Sequence, residues 1–100
     1  MTQASKDRYL SRCADVKSAM VDDEAVLLNV ETGDCYSLNK VGAWFWERAN
    51  GTMTISGLAR EAAAVFEVTY EQAEEDLLAL ARDLVAERLA SLDGQPSPVR

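Results

Sequence analysis

Catalysis needs a nucleophile with a base, paired carboxylates in a cleft, or a set of metal ligands. This chain of 100 residues offers little of any of them. It contains no His, which removes the commonest general base and the commonest metal ligand. Its Ser and Thr hydroxyls therefore lack their usual activating partner. Cys13 and Cys35 are the only thiols. They form no Cys-x-x-Cys pair and have no other soft ligand nearby, so a zinc site is not expected. Cys35 falls in a predicted strand without an activating neighbour and reads as a small packed thiol. Glu74-Glu75-Asp76 is a carboxylate cluster, but adjacent residues on a helix point apart. It reads as a solvated first turn, favourable with the helix dipole. No catalytic residue, cofactor or metal is expected, and binding is the remaining class.

The elements that would position a binding site are legible. Residues 24–50 carry an alternating apolar run, a turn at Glu31-Thr32-Gly33-Asp34, a second short run and then an aromatic-rich helix. In Ala25 to Val30, Val26, Leu28 and Val30 share one face and Leu27 and Asn29 the other. Gly33 can supply the positive φ of the turn. In the next strand, Tyr36 and Leu38 alternate with Cys35 and Ser37, and sequence leaves open which pair faces the helices. Val16 to Val21 is a weaker strand candidate. A sheet this small has an unpaired edge, and an extended peptide can add to such an edge as a strand.

Three helices follow. Asn39 is a suitable N-cap for a helix over residues 40–49, in which Val41, Trp44 and Phe45 sit at helical spacing and are expected in the core. Asn50-Gly51 reads as a stop signal. Thr54 caps a helix over 55–66 with Ile55, Leu58, Ala59, Ala62, Ala63 and Phe66 on one stripe. Thr69-Tyr70-Glu71-Gln72 matches a capping box, with Val68 placed to staple onto Ala73. That third helix is expected to reach about Leu89. Its apolar positions cover roughly half the circumference, wider than one core contact needs. Either neighbours bury it on two sides, or one flank lines a groove bordered by Asp76, Asp83 and Glu87.

The whole is one α+β domain: a small winged helix-turn-helix-like unit, with a three-stranded antiparallel sheet followed by three helices. The domain is expected over 13–92. Residues 1–12 read as a flexible arm and 93–100 as a disordered tail. Two isolated cysteines, no apolar run of spanning length and no signal-peptide pattern predict a reduced, cytoplasmic protein that does not enter a membrane.

Charge argues against nucleic acid. The net charge is −7. Residues 71–93 hold Glu71, Glu74, Glu75, Asp76, Asp83, Glu87 and Asp93 against only Arg82 and Arg88. In a winged-helix DNA reader the last helix would enter the major groove. Here it opens on carboxylates, which phosphates repel.

Taken together, Val26-Leu27-Leu28-Asn29-Val30-Glu31-Thr32-Gly33, Tyr36-Ser37-Leu38-Asn39, Gly42-Ala43-Trp44-Phe45-Trp46, Gly51 and Thr54-Ile55 resemble the PqqD-like family. The likeness covers about residues 15–92. It implies a winged-helix-like fold and a RiPP recognition element, which holds the leader of a ribosomally made precursor peptide for modifying enzymes. The leader would add beside the third strand, against the third helix. Carried onto this chain, the strand supplies Asp34, Cys35, Tyr36, Ser37 and Leu38. The helix supplies Ala73, Asp76, Leu77, Leu80, Asp83 and Leu84. Leu77, Leu80 and Leu84 would floor an apolar pocket, with Asp76 and Asp83 at its rim. The Glu-Thr-Gly turn and Trp-rich helix resemble the stand-alone lasso-peptide type. That type works beside a cysteine-protease-like leader peptidase and an asparagine-synthetase-like cyclase. The alternatives are a PqqD-type chaperone for pyrroloquinoline quinone or another such pathway, and a winged-helix nucleic-acid-binding regulator.

Overall fold

Three polar side chains start the three helices. In the computed structural model, which describes residues 7–94, Asn39 Oδ1 accepts from the Gly42 N–H at 2.9 Å. Thr54 Oγ1 accepts from Gly57 and Thr69 Oγ1 from Gln72, each at 3.1 Å. Each cap satisfies a first-turn donor that has no partner inside its helix. The helices are α1 (Lys40–Arg48), α2 (Ile55–Phe66) and α3 (Tyr70–Ala86). Only half of the expected capping box forms, because the Gln72 amide instead donates to Asp76 Oδ1 at 3.0 Å.

The strands are β1 (Tyr9–Arg12), β2 (Val16–Val21), β3 (Glu24–Asn29), β4 (Cys35–Leu38), β5 (Asn50–Thr54) and β6 (Ala90–Asp93). They make two antiparallel sheets, β2-β3-β4 and β5-β1-β6. The α+β class, with three helices and antiparallel sheets, is as expected from sequence. The second sheet is not.

Its centre corrects the reading of residues 1–12 as an arm. Tyr9 to Arg12 lie between β5 and β6, and Leu10 is fully buried. Residues 1–6 and 95–100, the rest of the expected arm and tail, lie outside the described residues. The expected tail also gives up Asp93, which pairs with Tyr9. Asn50-Gly51 stops α1 as expected, but the chain goes straight on into β5, with Gly51 at φ 83°.

Helix α3 ends at Ala86, short of Leu89. Arg88 takes φ 61°, and the N–H groups of Arg88 and Leu89 bond back to the carbonyls of Val85 and Leu84. That double bond pattern is a Schellman stop, usually built on Gly. Leu89 is buried just beyond it. The core gathers Leu10, Leu27, Phe45, Ile55, Leu58, Leu77, Leu84 and Leu89. In α1 the fully enclosed aromatics are Phe45 and Trp46. Trp44, expected in the core, is only half-buried. It sets its ring edge-to-face on Phe66 and lies 4.4 Å from the Arg48 guanidinium.

The inward face of β3 is Ala25, Leu27 and Asn29, while Val26 and Leu28, with Val30 just past the strand, face outward. Val26, Leu28 and Val30 stay 39%, 37% and 53% exposed. Asn29 is 3% exposed, and both its side-chain oxygen and its nitrogen are hydrogen-bonded. Oδ1 accepts from Glu31 and Thr32 at 2.9 and 3.2 Å, which folds the turn that Gly33 completes at φ 81°. Nδ2 donates to the Arg88 carbonyl at 3.4 Å. One side chain thus ties the β3–β4 turn to the end of α3. Asn29→Ala would leave those groups unpaired beneath the surface. It is expected to destabilise the fold by about 1–3 kcal/mol. Urea denaturation measures this, and a change within about 0.5 kcal/mol, the size of an ordinary surface substitution, would show that the tie contributes nothing.

Candidate functional site

Strand β4 has one neighbour, β3, and an open second edge. Its hydrogen-bonding phase follows from the turn. The Asn29 N–H bonds the Asp34 carbonyl at 2.9 Å. Bonded pairs recur every second residue in an antiparallel ladder. Leu27–Tyr36 and Ala25–Leu38 are then the bonded pairs, in the observed register. The N–H and C=O groups of Cys35 and Ser37 therefore point to the open edge. Side chains divide the other way. Tyr36 and Leu38 face the helices, while Cys35 and Ser37 are exposed on the outer side.

Beyond the open edge lies α3, and between them runs a groove of about 440 Å³. Tyr36, Ser37, Leu38 and Asn39 form one wall, and Asp76, Leu77, Ala79 and Leu80 the other. Val41 and Gly42 of α1 close the bottom. One residue, Asn39, separates β4 from α1, so the first turn of α1 has to sit against the strand it leaves. Gly42 makes the approach possible, since a Cβ there would lie 3.2 Å from Leu38 Cβ.

Of the residues singled out from sequence, Tyr36, Ser37, Leu38, Asp76, Leu77 and Leu80 line this groove. Leu38 and Leu77 are nearly enclosed and form its floor, while Leu80 remains partly open. Asp83 stands at the Tyr36 end, where the Tyr36 hydroxyl donates to its Oδ2 at 3.5 Å. Cys35 opens the strand and Asp34 precedes it, and both lie outside the cavity. Ala73 and Leu84 are buried in the core beneath, and Ala73 borders a smaller void of about 40 Å³ with Val41, Ala62, Phe66 and Val68. Sequence reading missed Asn39, Val41, Gly42 and Ala79. The signal was the absence of any linker between β4 and α1, which forces the helix start into the site.

The groove mouth is negative. Burial raises the pKa of the Tyr36 phenol, and the Asp83 charge, its hydrogen bond and Glu87 push it further the same way. Among the described residues, no cation lies within salt-bridge distance of Asp76, Asp83 or Glu87, and no cluster of three His, Cys, Asp or Glu could hold a metal ion. None of the described helices is long and apolar enough to cross a membrane.

The model of the family described as coenzyme PQQ synthesis protein D (PqqD) matches residues 24–90. The chain belongs to the PqqD family. The match takes in β3, β4, β5, all three helices and the first residue of β6, so both walls of the groove are PqqD-family structure. The structure described as TbiB1 in complex with the TbiA(beta) leader peptide resembles this PqqD-family chain with a TM-score of 0.73. It is 29% identical, over 87% of this chain and 99% of that one. A lasso peptide synthetase B1 complexed with the leader peptide also has a TM-score of 0.73. It is 24% identical, over 82% of this chain and 96% of that one, and shows the shared fold. No curated protein matches the chain.

Proposed function

We propose that this PqqD-family protein is a non-catalytic recognition element for the leader of a ribosomally made precursor peptide. The leader adds as a fourth strand to β4 and lays alternate side chains into the groove against α3. The observation that carries this reading is the open edge of β4 across an apolar floor from α3. Main-chain bonds to Cys35 and Ser37 give affinity, and the pockets at Leu38, Val41, Leu77 and Leu80 give selectivity. The likeness to TbiB1 supports this reading, since that structure holds a leader peptide. The Glu31-Thr32-Gly33 turn and the Trp-rich α1, which resemble the stand-alone lasso-peptide type, favour lasso-peptide biosynthesis as the pathway. There the protein would pass the leader to a cysteine-protease-like peptidase and an asparagine-synthetase-like cyclase. The protein itself carries out no step on the peptide.

Calorimetry and amide NMR test the proposal together. The probes are the TbiA(beta) leader and, where a short precursor gene adjoins this chain's gene, the leader it encodes. At least the latter is expected to bind with micromolar or tighter affinity, about −8 kcal/mol. Binding should slow hydrogen exchange at the Cys35 and Ser37 amides more than at Tyr36 and Leu38, whose amides already face β3. Absence of heat with folded protein and both peptides, or protection that bypasses β4, would reject strand addition at this edge.

A further inference from the structure

The groove has an apolar floor and a one-signed rim. Asp76 lines it at the Leu38 end, and Asp83 stands at the Tyr36 end. Glu87 lies one turn beyond Asp83. None of the three has a cationic partner among the described residues. Among the described residues, the one hydrogen bond across the mouth runs from Tyr36 to Asp83 at 3.5 Å, at the long limit for such a bond, and engages just one carboxylate oxygen. Burial first, then the charge and hydrogen bond of Asp83 and the charge of Glu87, raise the pKa of Tyr36, in line with that geometry. The whole chain is strongly acidic, with a net charge of −7.

Spacing converts this field into a sequence rule. Along an added strand, side chains facing α3 recur every second residue, about 6.6–6.8 Å apart. Along α3, Asp76 and Asp83 are separated by seven residues, about 10.5 Å of rise, with Leu80 between them. A peptide side chain seated on Leu38, Leu77 and Leu80 thus has its next same-side neighbour directed toward Tyr36 and Asp83. An apolar group there would strip water from a carboxylate without replacing its hydrogen bonds. An ammonium or guanidinium would supply them.

Resting on the strand-addition reading, we propose that the occupant of this groove is a cationic extended peptide. One apolar side chain sits on the Leu38–Leu77–Leu80 floor, and a Lys or Arg two residues away reaches Asp83. The Asp83 carboxylate then accepts from the peptide through the oxygen that Tyr36 leaves free. The floor selects the apolar side chain, and Asp83 adds selection for the base beside it. Because the rim is exposed, the attraction is screened by salt.

A displayed library of random twelve-residue peptides tests this whatever the natural partner is. Selection runs in parallel on the parent protein, Asp83→Asn and Asp76→Asn. On the parent, enriched peptides are expected to share an apolar residue and a Lys or Arg two positions from it. On Asp83→Asn the apolar residue should persist, and enrichment of the base at that position should fall at least about fivefold, which is about 1 kcal/mol. Apolar peptides without a fixed base, or a base preference that survives Asp83→Asn, overturn the inference and leave strand addition standing. A preference removed by Asp76→Asn instead overturns the assignment to Asp83. A library that yields no enriched peptide removes both the inference and the functional reading beneath it.

Discussion

Ser37→Pro is expected to leave the protein folded and to abolish useful leader binding. The Ser37 N–H points to the open edge of β4, so proline there removes no bond to β3. Edge positions of this kind are where sheets accept proline. Thermal melting should shift by no more than about 5 °C, the equivalent of roughly 1 kcal/mol in a domain of this size. An incoming strand, by contrast, loses the donor it must pair with and meets the pyrrolidine ring in its path. Two ladder bonds at about 1 kcal/mol each, plus a peptide carbonyl left without a partner, amount to about 2–4 kcal/mol. That corresponds to a roughly 30- to 1000-fold weaker Kd. Titration of the same leader into parent and variant decides the matter. Unchanged affinity in a folded variant would mean that peptides do not pair with this edge. Unfolding would mean that the hydrogen-bonding phase of β4 is the reverse of the one assigned.

The largest loss of stability is expected from Phe45→Ala. Phe45 is fully enclosed at the centre of α1, where that helix crosses β3. Removing a buried phenyl ring costs about 3–5 kcal/mol, against a total of about 5–15 kcal/mol for a typical domain. A Tm lower by roughly 15–30 °C follows. Trp44→Ala should cost clearly less, although Trp44 is the larger side chain. It keeps one flank in solvent and contributes mainly the Phe66 and Arg48 contacts. Melts of the two variants compare them directly. Equal losses would place Trp44 in the core after all.

Sequence showed best what is settled locally. The three caps, the Gly33 turn and the starts of all three helices depend on residues within four positions of one another, and each was readable. The Phe45–Trp46 pair was harder, because Val41, Trp44 and Phe45 also fit a helical stripe. Which stripe faces inward is set by the sheet beneath it. The strand β3 shows the same difficulty. Val26 and Leu28 point outward, and Ala25 and Leu27 inward, in step with Asn29, which points inward to hold the turn and the end of α3. The second sheet was unreadable for a different reason. Strand β1 is four residues long and only Tyr9 and Leu10 are large and apolar. What holds it in place is β5 and β6, far away along the chain. Of the candidate site, β4 and the rim of α3 could be named from residue types. Val41, Gly42 and Ala79 could not, since their place in the groove follows from how tightly α1 turns off the strand.

Tyr9 and Asp93 stand opposite each other in the sheet built on β1, and β4 belongs to the other sheet. Entry and exit of the described chain are therefore neighbours. A unit with that geometry can be spliced into a surface loop of another protein at a single point, with both connections made side by side. It can equally be joined end to end by a short bridge and reopened elsewhere, for instance between Asp22 and Asp23 in the hairpin that links β2 to β3. In either arrangement the bonds that close β1 against β6 remain, and the open edge of β4 is left unobstructed by the junction. Portability is thus built into the pairing of the first and last strands.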